Sequence, residues 1–262
     1  MAGYFYPSDR TQLGEQVDGF AKSDGACLQA RAVIVPHGSY RHSGAIAGAV
    51  FGRVVIPRRC IVIGPSHTGS WMPWSIMTGG AYRTPLGDVP IDAACAEALC
   101  ARCSFLEADA WSQRGEHAIE VLLPFLQRLG PSDLSIVPIV TGADRAEEFT
   151  QLAQALAQVV RMLEEPVLLI ASSDLSHYES QACVREQDRA LLDAVQTMDG
   201  ALLMHLVQEQ RWLVCGYGAM ACVLDASRQL GARRAELVHY GTSADAGGDP
   251  NSAIGYASVV IQ

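Results

Sequence analysis

Three apolar runs in this sequence, "VIVPHGS", "IVIGPSH" and "IASSDLSH", each lead into groups that can bind a metal or move a proton. These groups are His37, His67, and Asp174 with His177. Neutral imidazole is a ligand for zinc, copper and iron, and histidine and carboxylate side chains are also the common proton carriers of enzymes. A single histidine after one strand is an ordinary hydrogen-bonded turn residue, and Asp174 in "SSD" can equally bond local backbone. What stands out is convergence, because three runs deliver four such groups to the same edge. Two further segments offer partners. "EHAIEVLLPFLQ" starts an amphipathic helix with Glu116 and His117, where the positive end of the helix dipole favours an anion. "VCGYGAM" sets Cys215 just ahead of a helix, and a thiol there is expected to have a lowered pKa and accessible thiolate. Cys222 reads as core, His42 as a helix-start residue facing water, and His205 and His239 as satisfied structural histidines.

These groups need a scaffold that brings strand ends together. The strand candidates are "RAVIVP", "CIVIGP", "LSIVPIV", "PVLLIASS", "AELVHYGTS" and "GYASVVI". Between them lie helix candidates at Gly44 to Arg53, Asp92 to Cys103, Glu116 to Leu129, Arg145 to Leu163, Cys183 to Gln196 and Gly218 to Leu230. Strands that are nearly all apolar are covered on both faces, and their alternation with helices predicts an α/β fold with a largely parallel or mixed central sheet. In such sheets ligands sit beyond the carboxyl ends of the strands, where the four groups fall. "GGAYRTPLGDVPID" reads as a Gly/Pro-rich loop. No repeat, linker or low-complexity tract divides the chain, so residues 1–262 are expected to form a single domain.

Composition narrows the function classes. The chain has 262 residues, 49% of them hydrophobic and 18% charged, enough apolar material for a substantial core. A net charge of −9 without a basic stripe argues against nucleic acid as a partner. No apolar run approaches the ~20 residues of a membrane helix, and "MAGYFYPSDR" lacks signal-peptide character, so a cytoplasmic location without membrane insertion is expected. Eight cysteines in a chain of this length are not a disulfide framework. Cys95, Cys100 and Cys103 match part of an iron–sulfur spacing, yet they fall in an Ala/Leu-rich helical stretch and read as packed thiols.

Nine ordered motifs carry a resemblance over essentially the whole chain: "YFYPSD", "VPHGSYRHSG", "IGPSHTG", "YRTPLGDVPID", "EHAIEVLLPFLQ", "IVPIVTG", "SSDLSHY", "CGYGAM" and "GTSADAGGDPNSAIGYASVV". The chain resembles the Memo family, whose microbial members are called AmmeMemoRadiSam system protein B and whose fold is similar to that of the class III extradiol dioxygenases. The resemblance implies a mononuclear metal site at His37, His67 and Cys215, with Asp174 and His177 as catalytic neighbours. It implies Fe(II) as the cofactor, with copper or zinc as alternatives, and a functional link to radical-SAM and AMMECR-type proteins. This chain departs from the family at Gly38-Ser39, where Ala-Gly is usual, and at Ala118, where Ser is common; neither departure removes a ligand.

Three functions follow as expectations. One is a metal-dependent redox enzyme acting on a small molecule or peptide, with Asp174 orienting and His177 shuttling protons. A second is a non-catalytic metal- or peptide-binding protein, as the family's association with phosphotyrosine peptides implies, although the chain lacks an Arg cluster for phosphate. The third is a hydrolase, either with Cys215, His177 and Asp174 as nucleophile, base and orienter, or with a zinc-bound water.

Overall fold

The computed structural model describes residues 1–22, 27–69 and 72–262. Four runs rich in Val, Ile and Leu form its parallel centre: β1 (Ala32–Val35), β2 (Arg59–Pro65), β7 (Ser135–Thr141) and β8 (Val167–Ser172). Their side chains alternate between two cores, as period-2 pleating requires. Ile34, Ile61, Ile139 and Leu169 enter one core, while Val33, Val62, Ile136 and Ile170 enter the other. The first core is capped by α3 (Ala93–Cys100), α6 (Ala146–Leu163), α7 (Gln181–Gln196), α8 (Gly200–Gln210) and α9 (Tyr217–Gln229). The second is capped by α1 (Arg10–Phe20), α2 (Tyr40–Phe51), α4 (His117–Glu120) and α5 (Leu123–Leu129).

The sheet is mixed. Its order is β10-β11-β1-β8-β2-β7-β3-β6, where β3 is Trp74–Ile76, β6 Glu107–Ala108, β10 Ala235–Thr242 and β11 Ala253–Ile261. Here β11 runs antiparallel to both β1 and β10, and β3 antiparallel to β7. A short β9 (His177–Glu179) pairs with β11. The expected loop at 79–92 instead holds a two-stranded hairpin, β4 (Ala81–Thr84) with β5 (Gly87–Pro90), too short to show an alternating pattern. The expected helix from Glu116 to Leu129 is two helices. Pro124, in the first turn of α5, has no N–H to donate and its ring crowds the preceding turn, so α4 ends at Glu120. No helix among the described residues is long and apolar enough to cross a membrane.

Strand order decides where chemistry can gather. β8 lies between β1 and β2, all three parallel, so their carboxyl ends share one edge. His37, His67 and Asp174 each stand two residues beyond the last residue of their strand.

Candidate metal centre

His37 is buried, at 1% exposure, with its ring wedged between strand ends. Its Nδ1 lies 2.8 Å from Ser172 Oγ, and that hydroxyl spends its proton on the Ala118 carbonyl. Ser172 must therefore accept, so Nδ1 carries the ring proton and Nε2 is left as a bare lone pair. His67 is set the same way. Its Nδ1 donates to Glu116 Oε1 at 2.9 Å, and its backbone N–H donates to the other carboxylate oxygen. Both rings thus present Nε2, with an acceptor holding the opposite nitrogen in the manner of metal-ligating histidines.

Cys215 arrives from the α8–α9 connection. Gly216 allows the approach: a Cβ there would lie 2.4 Å from the Ser172 carbonyl oxygen. The Gly216 N–H bonds Ser173 Oγ at 3.1 Å, and Val214 bridges Ser176. Cys215 Sγ lies 3.2 Å from His37 Nε2, so in the protein as it stands the thiol proton occupies the His37 lone pair. One ligand atom from each of His37, His67 and Cys215 lies within 4.8 Å of the others.

Electrostatics favour a neutral His37 ring and a protonated Cys215 thiol. Burial, reinforced by the neighbouring His67, lowers the His37 pKa from 6.5 to about 3. Burial pushes the Glu116 carboxyl up, but hydrogen bonds from His67 and the Ala118 N–H outweigh it and hold the pKa down at about 2. The lowered thiol pKa expected for Cys215 is not found. Burial and the adjacent Asp174 carboxylate both raise it, outweighing its place ahead of α9.

Asp174 and His177 reach the same mouth but do not form the expected pair. Asp174 Oδ1 accepts from the His37 N–H at 2.8 Å and the Gly38 N–H at 3.2 Å, and Oδ2 stands 3.9 Å from His37 Nε2. Burial raises the Asp174 pKa against these hydrogen bonds. His177 Nδ1 instead meets the carbonyls of Leu175 at 2.6 Å and Leu213 at 3.1 Å, and its Nε2 has no hydrogen-bond partner among the described residues.

The structure adds His117, which the sequence marked only as a helix-start neighbour of Glu116. Its ring centroid is 4.3 Å from that of His67 and 5.3 Å from that of His37, and Phe5 stacks on it at 4.4 Å. Burial and the two neighbouring imidazoles lower its pKa to about 4. Glu116, His67 and His117 could form an overlapping donor set, but both Glu116 oxygens already accept N–H groups, so Glu116 is better described as an orienting acceptor. The signal available in the sequence was adjacency: a second imidazole immediately follows the carboxylate that holds the first. A cavity of about 460 Å³ is lined by Met77, Tyr82, Trp111, Gln113, Arg114 and Glu120 but by none of the candidate ligands, and its volume is within the range of small-molecule sites.

The remaining groups stay apart. Cys95 and Cys103 are buried, and burial pushes each thiol up to about 11, as suits packed thiols. Cys222 is core. His42 sits in the first turn of α2 with Nδ1 3.1 Å from Ser39 Oγ, so the Ser39 hydroxyl turns to this ring. His205 and His239 are exposed and not packed as expected, with His205 paired to Glu209 across one helical turn.

A family model described as Memo-like protein matches residues 1–260. A MEMO1 family protein of Methanopyrus kandleri is 32% identical over 276 residues, covering 100% of this chain and 97% of its own length. One from Methanosarcina barkeri is 34% identical over 266 residues, covering 100% and 98%. Among solved structures, an uncharacterised protein of Escherichia coli K12 matches with a TM-score of 0.57 at 17% identity. It covers 88% of this chain and 99% of its own, a likeness that speaks to fold alone.

Proposed function

This chain belongs to the Memo-like family, and we propose that it is a metal-dependent redox enzyme of the non-haem dioxygenase-like type. Its one Memo-like domain would hold a mononuclear centre on His37, His67 and Cys215 and act on a small molecule or peptide. The observation that carries this reading is the closeness of the three ligand atoms, within 4.8 Å, on two rings whose Nδ1 protons are already committed. Two neutral nitrogens and one sulfur suit Fe(II) or copper, and the His/Cys set also suits zinc. When bound, Fe(II) would supply redox chemistry with open coordination positions.

The chain's own groups have distinct work. Cys215 gives up the proton it holds against His37 Nε2. Asp174, its pKa raised by burial, accepts from the His37 and Gly38 N–H groups and so orients the segment that carries His37. His177, held through Nδ1 by the Leu175 and Leu213 carbonyls, would serve through its Nε2 as the proton carrier. A thiol-nucleophile hydrolase fits less well, because the Cys215 thiol is pushed up and its contact is His37, not His177.

Metal analysis on protein purified without oxygen tests the proposal, followed by spectroscopy of the iron-loaded site for a sulfur-to-metal charge-transfer band. Loss of both metal and band in Cys215→Ser is the expected result. Stoichiometric zinc with no oxygen uptake by the iron-loaded protein would turn the assignment to hydrolysis, and metal content unaffected by Cys215→Ser would remove the ligand set.

A further inference from the structure

We propose that Asp188, a carboxylate on the inner face of α7, is the positioning residue for the junction that carries Asp174, His177 and Cys215. The link to metal chemistry rests on the function proposed above; the hold on His177 does not.

Asp188 is fully buried, and no ion pair to it is found among the described residues. A buried carboxylate is costly unless donors converge on it, and here they do. Oδ1 accepts from the Ser176 N–H at 3.0 Å, and Oδ2 accepts from the Tyr240 hydroxyl at 2.8 Å. Gly255 closes the opposite side. Its N–H donates to the Ser176 carbonyl at 2.9 Å, and its carbonyl accepts from the Leu175 N–H at 2.8 Å. A Cβ on Gly255 would lie 1.7 Å from Asp188 Oδ2, so the carboxylate and this glycine are fitted to each other.

The clamped dipeptide, Leu175-Ser176, is where the candidate groups meet. Asp174 precedes it and His177 follows it. Ser176 bridges Val214, the residue before Cys215. The His177 ring takes its orientation from two carbonyls, Leu175 and Leu213, which belong to the two bridged segments. Carbonyls only accept, so they hold the proton on His177 Nδ1 for as long as both segments keep their places. The next residue, Tyr178, sits at φ 62°, a left-handed conformation that is strained for a bulky side chain. Such strain persists only where neighbouring contacts over-determine the backbone. The Tyr178 side chain is 64% exposed and supplies little anchorage itself. Asp188 supplies it as a carboxylate acceptor for the Ser176 amide beneath the junction.

The test reads metal-free protein, labelled with ¹⁵N-histidine, by long-range ¹H–¹⁵N correlation at a pH above the histidine range. Wild type should show His177 as a single Nδ1–H tautomer. Asp188→Ala should give signals averaged between tautomers, whereas Tyr240→Phe, which leaves the Ser176 contact in place, should keep the single tautomer. Unchanged His177 signals in folded Asp188→Ala would overturn the proposal, whatever stability the variant loses. Should Asp188→Ala not fold, Asp188→Asn serves. Replacing a charged acceptor by a neutral one weakens the hydrogen bond, so the Ser176 amide proton should move upfield. An unmoved Ser176 amide in Asp188→Asn would equally overturn it. Since no metal is present, failure of the metal proposal leaves this result standing, and failure here leaves the metal proposal standing.

Discussion

Glu116→Gln separates an orienting carboxylate from a bystander. The Glu116 side chain is wholly buried, and both its oxygens are committed: Oε1 to His67 Nδ1 at 2.9 Å and the Ala118 N–H at 2.8 Å, Oε2 to the His67 N–H. Its pKa falls from 4.5 to about 2 in the folded chain. At ~1.36 kcal/mol per unit, that shift is worth about 3 kcal/mol of stability. The folded pKa lies below the unfolded one, so the contribution is complete above the unfolded value and is lost as pH falls through the folded value. Glutamine keeps the shape, but whichever way its amide turns, its NH₂ meets an N–H that the carboxylate satisfied. Urea denaturation near neutral pH should therefore show the variant ~2–3 kcal/mol less stable, with the gap closing as the wild-type carboxylate protonates. Metal affinity, read by competition with a chelator, should fall by roughly 10–100-fold, the usual cost of removing such an orienting partner. A stability gap below ~0.5 kcal/mol, or one that does not narrow on acidification, refutes the reasoning.

Ser172→Ala removes the acceptor for His37 Nδ1–H, and should lower metal affinity by about 10-fold while shifting the His37 tautomer in ¹⁵N spectra. His177→Ala should retain metal but reduce turnover or ligand binding by about 10–100-fold; loss of the metal itself would make His177 a ligand. Gly218→Ala brings a Cβ to 2.1 Å from Phe149 Cζ between α9 and α6, and should cost about 1–3 kcal/mol in denaturation with metal content per folded protein unchanged. For the metal-free protein, the lowered pKa values of His37, about 3, and His117, about 4, give stability that is complete above their unfolded value of 6.5 and drains as pH falls towards them. A Tm that stays flat over that interval would show that these rings are not buried and neutral.

The fold was legible where burial acts on long runs. The parallel centre announced itself because β1, β2, β7 and β8 are covered on both faces and therefore apolar at nearly every position. Short elements gave no such pattern. In the β4–β5 hairpin most positions are at least partly exposed and only Thr84 and Val89 are buried, so its residues read as a turn-rich loop. The break between α4 and α5 was written in Pro124, but the apolar spacing on either side is continuous enough to hide it.

The site was legible to the extent that it follows strand order. His37, His67 and Asp174 stand two residues past neighbouring parallel strands, a relation that sequence position alone exposes once the sheet is inferred. Cys215 has no such register. The sequence offered only a helix start, a setting that favours an activated thiolate. The dipole's help falls off within a turn, whereas burial and the Asp174 charge act on the sulfur directly, so the thiol keeps its proton. That outcome does not weaken the proposed ligand role. A sulfur that shares its proton with His37 Nε2, 3.2 Å away, is one whose proton a cation can displace by taking both lone pairs at once. A nucleophilic cysteine would need the opposite arrangement, with its thiolate stabilised in the absence of any metal.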